Sequence, residues 1–84
     1  MNTYTTMGVC TKQISFDIED NKVYNVSFFG GCPGNLEGIA SLVEGMDIND
    51  AINKLKGIKC GPKSTSCPDQ LAKALEEYIK NKVA

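Results

Sequence analysis

Four cysteines carry most of the chemical potential of this sequence, because the 84-residue chain contains no histidine. Without histidine, Ser-His-Asp and Cys-His catalysis, mixed Cys/His zinc sites and the usual general base near neutral pH are all excluded. Thiolates remain, and they can bind metal ions or attack electrophiles. The four thiols belong to Cys10, Cys32, Cys60 and Cys67.

The elements that must position these thiols begin with a predicted β-hairpin. Residues 8–19 alternate between apolar and polar side chains around Ile14, Phe16 and Ile18, which indicates a strand with one buried face. A short polar turn follows, and residues 23–29 form a second run rich in β-forming residues. A third strand is expected, if anywhere, before Gly8.

Three helices are predicted after the hairpin, because apolar residues recur at helical spacing. Cys32-Pro33 begins the first helix, Asp47 caps the second, and Cys67-Pro68-Asp69 begins the third. Gly45 and Gly57 end the first two helices. The apolar stripe of the first helix is Leu36, Ile39, Ala40 and Val43, and that of the second is Ile48, Ala51, Ile52 and Leu55. The stripe of the third helix is Leu71, Ala72, Leu75, Tyr78 and Ile79. We therefore expect a single α+β domain over residues 1–84, in which three helices cover one face of an antiparallel hairpin or small sheet.

This topology indicates where the cysteines lie. The start of one strand and the end of its antiparallel partner share one end of a sheet, so Cys10 and Cys32 are expected to be neighbours. Cys32 and Cys67 each precede a proline and begin a helix, where the helix dipole favours the thiolate. Cys60 lies in a Gly/Pro-containing loop that can curl back towards Cys67.

The cysteine positions favour an all-sulfur metal site, which would hold zinc or an iron–sulfur centre. No CxxC pair is present, so two alternatives stay open: a redox dithiol and inert buried cysteines. Lys12, Lys59 and Lys63 could offset the charge of clustered thiolates, although solvated lysines are the default expectation.

Charge and hydropathy limit the possible partners and compartments. Nine basic and ten acidic residues leave no basic surface for nucleic acid or for an anionic membrane. Residues 1–8 lack the pattern of a secretory signal, and the apolar stretches are far shorter than the roughly 20 residues of a membrane span. We expect a cytoplasmic protein, with its thiols reduced and no membrane partner.

A family resemblance rests on the string Thr65-Ser66-Cys67-Pro68-Asp69, which is the motif that names the TSCPD domain. The flanking segments 30–35 and 57–61 look like those of the short stand-alone members, and the resemblance covers nearly the whole chain. The broader family includes the C-terminal module of cobalamin-dependent ribonucleotide reductases. The resemblance thus implies a link to deoxyribonucleotide synthesis and a reductase, or another protein, as partner. It does not imply catalysis by this chain alone, since the radical-bearing barrel is absent.

The order of elements is also similar to that of the U-type iron–sulfur cluster assembly scaffolds. On that resemblance Cys10, Cys32 and Cys67 take the positions of the three scaffold cysteines. The scaffold's acidic residue after the first cysteine is missing, and Ser66 stands where its histidine precedes the last cysteine. Cys60 could supply a fourth ligand, which favours a tightly held ion over cluster transfer.

Together these features predict an accessory module with four cysteine ligands, related to ribonucleoside-diphosphate reductase. Two alternatives are a redox protein that donates electrons through cysteine pairs and an iron–sulfur assembly scaffold. An enzyme acting alone is not expected, because the sequence contains no recognisable nucleophile–base pair.

Overall fold

The protein forms an antiparallel three-stranded sheet followed by three helices, as the α+β prediction requires. The computed structural model describes residues 2–6, 11–30, 33–59 and 61–83. In chain order the elements are β1 (Asn2–Thr5), β2 (Thr11–Glu19), β3 (Lys22–Gly30), α1 (Pro33–Val43), α2 (Ile48–Leu55) and α3 (Cys67–Val83). The sheet order is β1-β2-β3, so the hairpin of β2 and β3 is extended by a third strand before Gly8.

A β-bulge in β3 determines which of its side chains face the core. The strand register shifts between Ser15 and Asp17 of β2, so that one residue of β2 lies opposite two residues of β3. Asn25 lies in this bulge with a φ of 53°, a conformation that asparagine tolerates better than most residues. Because of the additional residue, Val23 and Val26 are both buried although they are three positions apart.

The helix ends follow the signals in the sequence. Helix α1 begins at Pro33, and Gly45 follows it with a φ of 76°. The carboxylate of Asp47 caps α2 by accepting hydrogen bonds from the backbone N–H groups of its first turn. Gly57 follows α2 with a φ of 85°. The prediction that Cys67 begins the last helix is also confirmed.

The core lies between one face of the sheet and the three helices. Its largest fully buried side chains are Ile14, Val23, Leu71 and Leu75, which join the hairpin to α3. The ring of Phe16 also meets that of Tyr78 edge to face, with 6.3 Å between centroids. Phe29, by contrast, is 54% exposed.

The connection between α1 and α2 is hydrogen-bonded to the turn end of the hairpin. Gly45 donates from its backbone N–H to the Val23 carbonyl, Val23 donates to the Met46 carbonyl, and Ile48 donates to the Asn21 carbonyl. Since α1 ends at this turn, it runs back along β3 from the opposite end of the sheet. Helix α1 therefore begins at the end where β3 finishes and β2 starts. Within the described ranges, no helix combines the length and hydropathy that a membrane crossing needs.

Candidate functional site

Cys67 is the one predicted metal ligand that falls within the described residues. It is the first residue of α3 and is half-buried. Cys10, Cys32 and Cys60 lie outside the described residues. In the described parts of the chain, no group of three or more His, Cys, Asp or Glu side chains could hold a metal ion. The four-cysteine site therefore stays a prediction. The described residues that lie near the cysteines in the sequence show how the surrounding chain is held.

Ser66, the residue before Cys67, caps α3. The backbone N–H of Asp69 donates to the Ser66 hydroxyl at 3.2 Å, and the N–H of Gln70 donates to the Ser66 carbonyl at 2.8 Å. The same hydroxyl donates to the carbonyl of Ile58 at 2.7 Å. Ser66 thus fixes Cys67 as the first helical residue and ties the start of α3 to the chain that leaves α2.

The carboxylate of Asp69 makes a second connection between the same two segments. One oxygen accepts a hydrogen bond from the backbone N–H of Gly57 at 2.8 Å, and the other accepts one from the Thr65 hydroxyl. Lys73, one turn along α3, lies 3.4 Å from the carboxylate. Asp69 is only 4% exposed, so it is a buried link rather than a surface charge in the first turn.

The environment of Asp69 lowers its pKa below the ordinary value. Burial acts in the opposite direction, because it disfavours the charged form. The hydrogen bonds from Thr65 and Gly57, together with the charge of Lys73, outweigh that effect. The carboxylate is therefore held in its charged form at neutral pH.

Gln70 completes this polar cluster. Its side-chain amide donates to the Thr65 hydroxyl oxygen at 3.0 Å, while the Thr65 hydroxyl donates onward to Asp69. Asp69 and Gln70 therefore both bind the Thr65 hydroxyl. We refer to the four buried residues Thr65, Ser66, Asp69 and Gln70 as the α3 anchor.

The α3 anchor closes the loop between α2 and α3. Its hydrogen bonds join Gly57 and Ile58, at the start of the loop, to residues 65–69 at its end. Cys60 lies in sequence between these two joined ends, and Cys67 directly follows them. Lys59 and Lys63 of this loop are exposed, as is Lys12 on β2.

Cys10 and Cys32 lie close in sequence to two residues that are paired in the sheet. Thr11 and Gly30 are partners in the ladder between β2 and β3. Cys10 directly precedes Thr11 in the sequence, and Cys32 follows Gly30 by two positions. The sequence argument placed Cys10 and Cys32 at one end of the sheet, and the described pair at that end is Thr11 with Gly30.

Comparison with known protein families identifies a match. A family model described as the TSCPD domain matches residues 2–79, a range that includes the four cysteines and the α3 anchor. No curated protein matches the chain, and no solved structure matches it. The similarity to U-type iron–sulfur scaffolds stays a prediction from the sequence.

Proposed function

Because the chain belongs to the TSCPD domain family, we propose that it is a metal-binding accessory module related to ribonucleotide reductases. The bound group in this proposal is zinc or an iron–sulfur centre, and the ligands are Cys10, Cys32, Cys60 and Cys67. The observation that supports the proposal is the hydrogen-bonded closure of the loop between α2 and α3, because Cys60 lies in sequence between its joined ends and Cys67 directly follows Ser66.

Covalent geometry strengthens this observation. Consecutive Cα atoms are about 3.8 Å apart, so each cysteine stays close to its chain neighbours. Cys60 follows Ile58 by two residues and Cys67 follows Ser66 by one, while Ile58 and Ser66 are hydrogen-bonded to each other. These contacts support a pair of thiols, from Cys60 and Cys67, on one side of the proposed site.

The hairpin supports a second pair in the same way. The pairing of Thr11 with Gly30 limits how far Cys10 and Cys32 can lie from one another. Cys32 also precedes Pro33, the first residue of α1. The positive end of a helix dipole favours a thiolate, which is the form that binds metal.

The donor set suits the proposed group. Four thiolates can complete the tetrahedral site of structural zinc or hold an iron–sulfur cluster. Zinc would cross-link segments that are distant in sequence and contribute to folding, whereas a cluster would add one-electron redox chemistry. Zinc would allow this small module to present a defined surface to a larger reductase, and a cluster could also supply electrons to it.

Metal analysis of protein purified without oxygen or chelators tests the proposal. We expect about one metal site per chain: colourless protein with zinc, or brown protein with iron and sulfide. Cys32→Ser and Cys67→Ser should each abolish this content. Wild-type protein that contains no metal and has four titratable thiols would contradict the proposal.

The closed loop also favours a second candidate function, thiol redox chemistry. If Cys60 and Cys67 lie close together, they could form a disulfide and pass two electrons to a partner protein. Mass spectrometry after equilibration in glutathione buffers would test this. The redox function predicts a Cys60–Cys67 disulfide in metal-free wild-type protein, and it is contradicted if both thiols stay reduced in an oxidising buffer.

A further inference from the structure

The buried carboxylate of Asp69 is the centre of the contacts that close the α2–α3 loop. It joins Gly57, which follows α2, to Thr65, which precedes α3. The hydrogen bond to Gly57 spans 12 positions in the sequence. A side chain that only capped the helix would need neither of these partners. Asp69 therefore also connects residues outside α3 to each other.

The surroundings of Asp69 call for a charged acceptor rather than an amide. Gly57 offers a backbone N–H, Thr65 offers a hydroxyl hydrogen, and Lys73 offers an ammonium group. The Thr65 oxygen already accepts from the amide of Gln70, which leaves its hydrogen directed at Asp69. A carboxylate can accept from every one of these groups, because it has two acceptor oxygens and no hydrogen of its own.

We infer that Asp69 is a positioning residue that holds the two ends of the α2–α3 loop together, next to Cys67 in the sequence, before any metal is bound. The inference rests on the proposed function, since it assigns Asp69 to the support of two of its four ligands. Asp69 itself need not touch the metal. It acts through the loop, by fixing both loop ends with hydrogen bonds that the protein makes from its own residues.

A loop that is already ordered loses less conformational entropy when it binds, so its affinity for the ligand is higher. Removing a group that supports metal ligands typically weakens affinity by about 10- to 100-fold. We therefore expect Asp69→Asn to bind metal about 10- to 100-fold more weakly, with the number of thiolate ligands unchanged.

Asp69→Asn keeps the shape of the side chain but not its hydrogen-bonding pattern. In either orientation of the amide, its NH₂ group faces a donor, either the Gly57 N–H or the Thr65 hydroxyl. The matched control is Asp47→Asn at the start of α2. The Asp47 carboxylate accepts hydrogen bonds only from the first turn of its own helix in the described contacts, at Asn49 and Asp50.

The experiment measures three quantities for wild type, Asp69→Asn and Asp47→Asn. Cobalt affinity is determined by competition with a chromophoric chelator, and the thiolate charge-transfer band reports how many sulfurs bind. Hydrogen exchange of the metal-free, reduced proteins reports order at the loop amides of residues 61 and 63–66. We expect weaker cobalt binding and faster loop exchange in Asp69→Asn alone.

Two Thr65 variants keep the test decisive if Asp69→Asn does not fold. Thr65→Val removes the hydroxyl that binds Asp69 and should repeat both changes, whereas Thr65→Ser keeps the hydroxyl and should restore wild-type values. Wild-type affinity in Asp69→Asn or Thr65→Val would overturn the inference, and so would wild-type loop exchange. If wild type itself binds no cobalt, the proposed function fails, and loop exchange alone then decides whether Asp69 orders the loop.

Discussion

The Ser66 hydroxyl has two roles that can be separated from metal binding. It accepts a hydrogen bond from the first turn of α3 and donates one to Ile58. Ser66→Ala should therefore lower the free energy of unfolding by about 1–2 kcal/mol, because a helix cap and a long-range hydrogen bond are lost together. Urea denaturation of reduced protein in the presence of a chelator measures this difference.

Ser64→Ala is the control for that change. Ser64 is exposed in the same loop, so its substitution should alter stability by less than about 0.5 kcal/mol. Equal stability of the Ser66→Ala and Ser64→Ala proteins would show that the cap contributes nothing.

Asp17 provides a residue-scale test of the strand geometry. The side-chain amide of Asn25 donates to Asp17 at 3.0 Å, and this hydrogen bond lowers the pKa of Asp17. Because the folded pKa is lowered, the charged carboxylate stabilises the fold above its unfolded pKa. That contribution is lost as the pH falls through the folded pKa.

Asn25→Gly should raise the pKa of Asp17 towards its ordinary value, since glycine accepts the positive φ of the bulge but lacks the amide. An NMR titration of the Asp17 carboxyl in both proteins measures the shift. A pKa of Asp17 that stays the same in the two proteins would contradict this hydrogen bond.

At the residue scale, the sequence predicted which residues begin α3 but not the long-range hydrogen bonds that they make. Asp69 was recognised as an acidic residue in the first turn of a helix, which the dipole favours. Its bond to Gly57 could not be predicted, because the donor is a backbone N–H that any residue would supply. Only the path of the chain brings that N–H to the carboxylate.

At the scale of elements, replacing a glycine by alanine is expected to have opposite effects on stability inside α1 and just after its end. Gly38 lies inside the helix, and a Cβ there would contact no atom beyond its own stretch of helix. Gly38→Ala should raise the free energy of unfolding by about 0.5–1 kcal/mol, because alanine favours helix more than glycine does.

Gly45→Ala should have the opposite sign. Gly45 has a φ of 76°, which costs a residue with a Cβ about 1–2 kcal/mol. Thermal or urea unfolding of the two variants beside wild type measures both effects. The account of the α1 end is wrong if Gly45→Ala is as stable as Gly38→Ala.

Most elements were predictable because their signals are local. The helical spacing of apolar residues, the proline at the start of α1 and the Asp47 cap each act within a few residues. The bulge at Asn25 was not predictable, since residues 23–29 read as a plain strand. It arises from matching the apolar faces of two strands, which is a pairing effect rather than a local preference.

For the whole molecule, the α+β architecture followed from the order of a hairpin and three amphipathic helices. The approach of Cys10 to Cys32 was predicted from antiparallel topology and stays a prediction, while Thr11 and Gly30, which lie near them in the sequence, are paired in the sheet. Cysteine spacing alone could not predict the α3 anchor. That anchor depends on how α2 and α3 pack, which brings Ile58 and Ser66 together.

The central claim is that thiols from two ends of the chain share one metal. The most direct test is X-ray absorption at the metal edge of zinc-loaded wild-type protein, combined with the metal-to-protein ratio. We expect one zinc per chain surrounded by four sulfur atoms at about 2.3 Å. A first shell with fewer than four sulfurs, or protein that takes up neither zinc nor an iron–sulfur centre, would contradict the claim.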